Sequence, residues 1–511
     1  MDRRLFLGGL SYWGLGLAGV SSGCATMRRP TFATNPFSLG VASGDPLHDS
    51  VVLWTRLAPD PLNGGGMPPE RVRVEWEVAS DENMSNVVQR GRTTATPELG
   101  HSVHVEVERL RPDQWYWYQF RAGSEESQVG RTRTAPDLQA PNDRLDFAFA
   151  SCQHFETGFF TSLRHLSEED IDLVIHLGDY IYENAGIDGR VRKHAGLEIE
   201  SLDDYRNRYA QYKTDTDLQA AHAAFPWLVS WDDHEIDNNW AGAHSLDDPA
   251  EALAFLDRRA NAAQAYYEHM PLRRASIPMG PDIRLYRSAS FGTLATFFVL
   301  DTRQYRTGQP CGDGTKPKCP EVFSPDATIL GREQERWLHT GLSQSESRWN
   351  VLAQQVLIAD AVRGTSPEIG YSMDKWSGYD RDRDRLLDFL HDRRISNPIV
   401  LTGDIHSNFV NDLKLDFHDM NSPTVATEFV GTSLSSGGDG ADTRPSTEGL
   451  YSQNPFVKFW NGQRGYVRCR VTPGVWTSDY RVVDYVTRRG SPISTRASFV
   501  VEEGKPGVER A

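Results

Sequence analysis

The sequence predicts a layered α/β domain preceded by a small all-β unit. Two patterns support this. Between residues 36 and 135, short alternating or apolar runs are broken by turn residues, as in a β-sandwich. From residue 145 onward, apolar runs end in polar tips and alternate with helix-like stretches. That is the pattern of a layered sheet whose chemistry gathers beyond the strand ends.

The chain opens on Asp2-Arg3-Arg4-Leu5-Phe6-Leu7-Gly8, and an uncharged, mostly apolar run follows to Val20. Paired arginines before a short apolar region read as a twin-arginine export signal over residues 1–30, too short for a comfortable membrane span. Gly23-Cys24-Ala25 offers a lipoprotein cleavage site, and so a lipid anchor at Cys24, although Ser21 suits that motif poorly. The expected address is the periplasm, the extracellular space or the cell surface, reached through the twin-arginine export machinery. That route carries folded proteins, often with a cofactor loaded, and is a first hint of metal.

The β unit follows. FSLGVASGDP, SVVLWTRLAP, VRVEWEVAS, HSVHVEVERL and WYWYQFRAG are spaced as in a small fibronectin- or immunoglobulin-type sandwich over 36–135. TAPDLQAPND is a linker rich in Pro and Asp. Within 145–480, LDFAFASC, DLVIHLGDY, WLVSWDDHE, TFFVLDTR, WNVLAQQV and PIVLTGDIHS read as strands. AEALAFLDRRANAAQAYYEHM and REQERWLHTGL read as helices. Residues 481–511 are polar and ambiguous, with room for a final strand and a terminal segment, and the last ten come nearest to a disordered composition.

Composition narrows the function. A length of 511 residues suggests roughly two to four domains. The formal net charge of -16 argues against a nucleic-acid-binding surface, which needs a basic stripe. It suits a protein that works with cations. There are five cysteines. Cys311 and Cys319 flank a Gly/Pro/Lys loop and, in an exported protein, suggest a small disulfide-closed loop. Cys469 sits in an alternating strand pattern and reads as packing.

Four strand ends carry metal-type ligands: Ser151-Cys152-Gln153, Gly178-Asp179-Tyr180-Ile181-Tyr182, Asp232-Asp233-His234-Glu235 and Gly403-Asp404-Ile405-His406. Each has a bland reading. A strand-end Asp is commonly a turn former or helix cap, and a lone Cys a small buried hydrophobe. Four such tips in one domain argue against coincidence. Carboxylates can bridge two cations for displacement at phosphorus. Thiolate and phenolate suit a transition metal better than calcium or magnesium. The set therefore suggests one iron-like ion beside one harder, oxygen-liganded ion.

In SCQ, GDYIYE, WDDHE followed by NN, GDIH, LDTRQYR and NVLAQQ, the chain resembles the PhoD-type alkaline phosphatases of the calcineurin-like metallophosphatase superfamily. The resemblance runs from about residue 36 to 480. It implies a four-layer metallophosphatase β-sandwich flanked by helices. It implies that Asp179 bridges two metals and that Cys152, Tyr182 and His406 complete an iron(III) site. Asp233 and Asp404 stand where the superfamily has Asn and His, and they harden the second site toward one or two calcium ions. His234 becomes the catalytic group, which stabilises the transition state or protonates the leaving oxygen. A metal-activated hydroxide would attack phosphorus. Asp232 and Glu235 are expected to orient their neighbours.

Arg258 and Asn238 are candidates for substrate phosphate, with exposed helix charge and a turn cap as their alternatives. Gln355 occupies the strand where the superfamily places another His, and is expected to stay out of the metal set. Asp301 and Arg303 are expected to tie a loop together.

The expected activity is hydrolysis of phosphomonoesters, phosphodiesters or both. The alternatives are a phospholipase D-like or nucleotide phosphodiesterase with the same metal site, and a non-catalytic cell-surface binding protein.

Overall fold

The computed structural model describes residues 30–245, 252–363 and 369–511. The paired arginines and Cys24 lie outside the described residues. Among the described residues, no helix is long and apolar enough to cross a membrane.

Three parallel strands, Leu145–Ala150, Leu173–Leu177 and Pro226–Ser230, form the centre of a ten-stranded sheet. All their residues are buried, which is why they read as apolar runs rather than as alternation. Their side chains still alternate between two layers. Phe147, Phe149, Ile175 and Leu228 face a second, seven-stranded sheet, where they meet Phe297, Val351, Leu401 and Phe429. Ala148, Ala150, Val174 and Trp227 face helices, including Leu202–Lys213 and Ala252–His269, through Tyr205, Tyr209 and Tyr266.

The second sheet repeats this on its far side. Phe298, Leu352 and Val400 pack on helices Gly331–Gln344 and Asp380–Asp392 through Leu338, Leu342, Leu386 and Leu390. The order is helix, sheet, sheet, helix. Each large apolar side chain buried in these layers is worth about 1.5–3 kcal/mol. Interlayer packing therefore outweighs the propensity of any single element.

Residues 36–135 are all-β, but their strands divide between two sheets. Val72–Ala79, Val87–Ala95, Trp115–Ala122 and Gly130–Arg133 form a separate small sheet. Val41–Gly44, Val51–Arg56 and Ser102–Val107 extend the ten-stranded sheet, with Val41–Gly44 parallel to Pro226–Ser230. The two faces close over Val41, Leu53, Val74, Val103 and Tyr118. The unit is thus continuous with the larger domain rather than a separate bead.

The other end of the chain also joins the ten-stranded sheet. Strands Ile493–Glu502 and Glu509–Arg510 add to the edge of the ten-stranded sheet. The sheet therefore runs through the boundary expected at 480, and the polar terminal residues are ordered by backbone pairing. Their burial alternates along Ile493–Glu502, as befits an edge strand with one wet face.

Candidate metal centre and active site

The central strands of both sheets end at one edge of the sandwich. Gly178 and Gly403 permit the tips to meet there. Gly178 has φ of +100°, and a Cβ on it would lie 2.3 Å from the Asp232 Cβ. A Cβ on Gly403 would lie 2.7 Å from the Ser151 Oγ. A β-bridge between Ser151 and Ser433 joins the two sheets at the same place.

Cys152, Asp179, Asp404 and His406 all take left-handed backbone, with φ of 60°, 55°, 63° and 54°. Such positions cost on the order of 1–3 kcal/mol each and persist only where surroundings impose them. Four in one cluster turn four side chains toward one point.

That point is densely functional. Tyr182 donates its hydroxyl proton to the Asp179 carboxylate at 2.8 Å and lies 3.1 Å from His406 Nε2 and 2.7 Å from Ser436 Oγ. Ligand atoms of Cys152, Asp179 and His406 all lie within 4.8 Å of one another. So do those of Asp179, Asp233 and His234, and those of Asp232, Asp233 and Asp404. Asp179 belongs to two of these groups. Asp179 Oδ1 and Asp232 Oδ2 are buried with no hydrogen-bond partner. A buried carboxylate oxygen left so is costly unless a cation meets it. The residues present therefore fit two adjacent cations, one among thiol, phenol, imidazole and carboxylate, the other among carboxylates.

The surrounding electrostatics are tense. Burial raises Asp232 well above the usual carboxylate range, and neighbouring acids add to this against the pull of Arg303. Burial likewise pushes Asp233 up to about 6. Asp179 moves the other way. His234 and His406 overcome its burial and hold it well below the usual range. Burial raises the Cys152 thiol well above its ordinary value, with Asp179 adding to the rise. A multivalent cation reverses such logic and deprotonates a coordinating thiol outright.

Arg303 is the main counter-charge. Fully buried, it bonds Asp232 at 2.6 Å and Asp374 at 2.7 Å, and it reaches Asp404 at 3.3 Å and Asp233 at 3.5 Å. It thus does more than tie a loop together, although Arg303 N does cap the Asp301 carboxylate at 3.0 Å. Lys375 pairs with Asp374 and Asp404.

His234 rests on the Tyr182 ring, with centroids 4.1 Å apart, and its Nδ1 lies 2.7 Å from Glu183 Oε2. Burial alone would lower its pKa, but Glu183, Asp233 and Asp179 together raise it well above the ordinary histidine value. Glu235 accepts backbone N–H bonds from Asp179, Tyr180 and Asp232 at 3.1, 2.6 and 2.8 Å. Its carboxylate clamps two tips together through their backbone N–H groups.

A cleft of about 280 Å³ opens on these groups, lined by Asp233, His234, Asn238, Asp404 and His406 among others. Asn238 lies on the wall of this cleft. Arg258 does not. Its guanidinium is committed to Glu198 at 3.0 Å, Tyr205 at 3.2 Å and Asp237 at 3.5 Å. The cations that line the cleft are Lys375 and Arg363 instead. The Gln355 side chain is held by Thr302 and Leu300. Cys311 and Cys319 are joined, with Cα atoms 5.9 Å apart. The closed loop contributes Asp313, Gly314 and Thr315 to the cleft wall.

Sequence reasoning assigned no role to Glu183 or Arg363. Only Glu183 had a signal, as the acid that directly follows Tyr182.

Two family models match the chain, the PhoD-like phosphatase over residues 147–480 and the PhoD-like phosphatase N-terminal domain over 23–136. The chain belongs to the PhoD-like phosphatase family. It is 50% identical to alkaline phosphatase D of Bacillus subtilis (strain 168), over 100% of this chain and 89% of that protein. A solved structure, "Structure of PhoD", superposes with a TM-score of 0.93 at 52% identity and covers 94% of this chain and 93% of that one. This PhoD-like phosphatase is accordingly an enzyme, a phosphoric ester hydrolase. All four ligand-bearing tips fall within the matched 147–480 region.

Proposed function

We propose that the chain is an exported hydrolase of phosphomonoesters and phosphodiesters that works with iron(III) and one or two calcium ions. The observation that carries this is the shared carboxylate. Asp179 sits in both a Cys152–His406 group and an Asp233–His234 group, with the Tyr182 hydroxyl on its Oδ2. Thiol, phenol and imidazole favour iron, whereas Asp233 and Asp404 favour calcium. Bound there, such ions act as Lewis acids toward phosphate oxygens and make water more acidic.

The chain's own residues do the rest. Glu183 favours the charged form of His234 and fixes its ring through Nδ1. The other ring nitrogen is left for the cleft. As water adds to phosphorus and the ester P–O bond breaks, His234 gives its proton to the leaving oxygen. Glu183, Asp233 and Asp179 all favour that protonated form. Asn238 presents its side chain to the same cleft. Arg3 and Arg4 support export to the periplasm or beyond. Replacing both by lysine should leave the precursor in the cytoplasm, and fatty-acid labelling at Cys24 distinguishes an anchored from a free product.

The test of the activity uses protein purified with its native metals. Hydrolysis of p-nitrophenyl phosphate and bis-p-nitrophenyl phosphate is compared with and without a calcium chelator. Turnover that the chelator abolishes supports the reading. Turnover of either ester that survives complete metal removal overturns it. Diester turnover far above monoester turnover would favour the phosphodiesterase reading with the same residues in the same roles.

A further inference from the structure

Two cations line the catalytic cleft, Lys375 and Arg363. Lys375 is neutralised by Asp374 and Asp404. Arg363 is not. It is half-buried, yet its guanidinium has no ion pair and no side-chain hydrogen bond among the described residues. In a chain of net charge -16, acids are in excess, and the other buried arginines near the cleft, Arg303 and Arg306, are paired with them.

The backbone beneath Arg363 is firmly held. Arg363 and Gly370 exchange two hydrogen bonds, at 2.8 and 2.9 Å. Val362 does the same with the buried Asn454 side chain, at 2.7 and 3.1 Å. A fixed base and an unpaired planar fork describe a prepared anion receptor.

We infer that Arg363 forms an anion subsite beside the catalytic centre, which takes a second negatively charged group of the substrate, such as a second phosphate. This rests on the phosphohydrolase reading and goes beyond it by naming what the substrate carries next to the scissile ester. The scissile phosphate belongs with the ligand cluster and His234, and Arg363 bonds none of those residues. Its charge lies within reach of Asp404 on one side and of the exposed Arg444 on the other. Arg444 in turn lies over the Trp460 ring, 5.2 Å from its centroid. The two arginines continue the positive path from the cleft toward solvent.

The experiment compares a hexose monophosphate with the matching hexose bisphosphate, using the metal-loaded wild type, Arg363→Met and Arg363→Lys. The wild type should prefer the bisphosphate through KM. Arg363→Met should reduce that preference by about tenfold or more, and Arg363→Lys should restore part of it, because charge is kept but the fork is lost. Thermal melting confirms that each variant folds. An equal loss on both substrates would place Arg363 on the scissile phosphate and overturn the subsite. A wild type with no preference overturns it too. Monophosphate turnover by the wild type secures the hydrolase reading by itself, so the subsite stands or falls on the ratio alone.

Discussion

Glu183 and His234 share a 2.7 Å contact between a carboxylate that is almost fully buried and an imidazole at the floor of the cleft. The same carboxylate accepts the Asn238 N–H at 3.1 Å, so one acid sets both the proton donor and the turn that carries a substrate candidate. Glu183→Gln keeps the shape and removes the charge. A histidine whose pKa is raised by its partner loses that rise with the partner, so the proton-donor form disappears at lower pH. The alkaline limb of the kcat profile should move to lower pH, and kcat at alkaline pH should fall about 10²-fold. Metal content should not change. A pH profile that superposes on the wild type would rule out this role.

Asp179 is common to two ligand groups, one of them with Cys152 and His406. Asp179→Asn should abolish hydrolysis and release metal, while circular dichroism reports an intact fold. Cys152→Ser should remove iron and any thiolate or phenolate charge-transfer colour. A wild type that is colourless, iron-free and fully active would sink the cysteine–tyrosine site.

Lys213 is 2% exposed, lies 4.3 Å from the Trp54 ring centroid, and has no ion pair among the described residues. Burial lowers its pKa from 10.5 to about 7. Between those values the unfolded chain holds a proton that the folded chain has released, so stability rises with pH across that window. Below about 7 both states are protonated and the burial cost is complete. The gain from this one residue is at most ~1.4 kcal/mol per pH unit. Lys213→Met should raise stability at pH 7 and flatten the rise, as followed by urea unfolding from pH 7 to 10. An unchanged slope would show that the amine keeps its charge in the fold.

The Cys311–Cys319 bond closes a loop that carries Asp313, Gly314 and Thr315 into the cleft. Replacing both cysteines by serine should cost about 2–3 kcal/mol of stability from loop entropy. KM should rise several-fold while kcat stays within about twofold, because the loop walls the cleft without touching the ligand cluster. A lost kcat with normal KM would mean that the loop positions the reacting groups instead.

Much of this protein can be read from local pattern. Apolar runs such as LDFAFA and PIVLT are strands because both faces are covered, and their polar tips mark the site because side chains there are freed from the sheet. Cys152, Asp179, Asp233, Asp404 and His406 are all legible in this way, as is the cysteine-closed loop. These signals are short in range, so the sequence by itself determines them.

What the tertiary structure alone decides is who meets whom. Arg258 has the right chemistry for phosphate but is consumed by Glu198 and Asp237, whereas Arg363 has no ion pair among the described residues. Arg303 reaches four acids on three separate segments, including Asp374, which lies 71 residues away in the chain. The N-terminal strands join the catalytic sheet because Val41–Gly44 pairs with Pro226–Ser230. Charge pairing and strand pairing act through space over a few ångströms. The chain order of the partners carries no trace of that distance until the layers have packed.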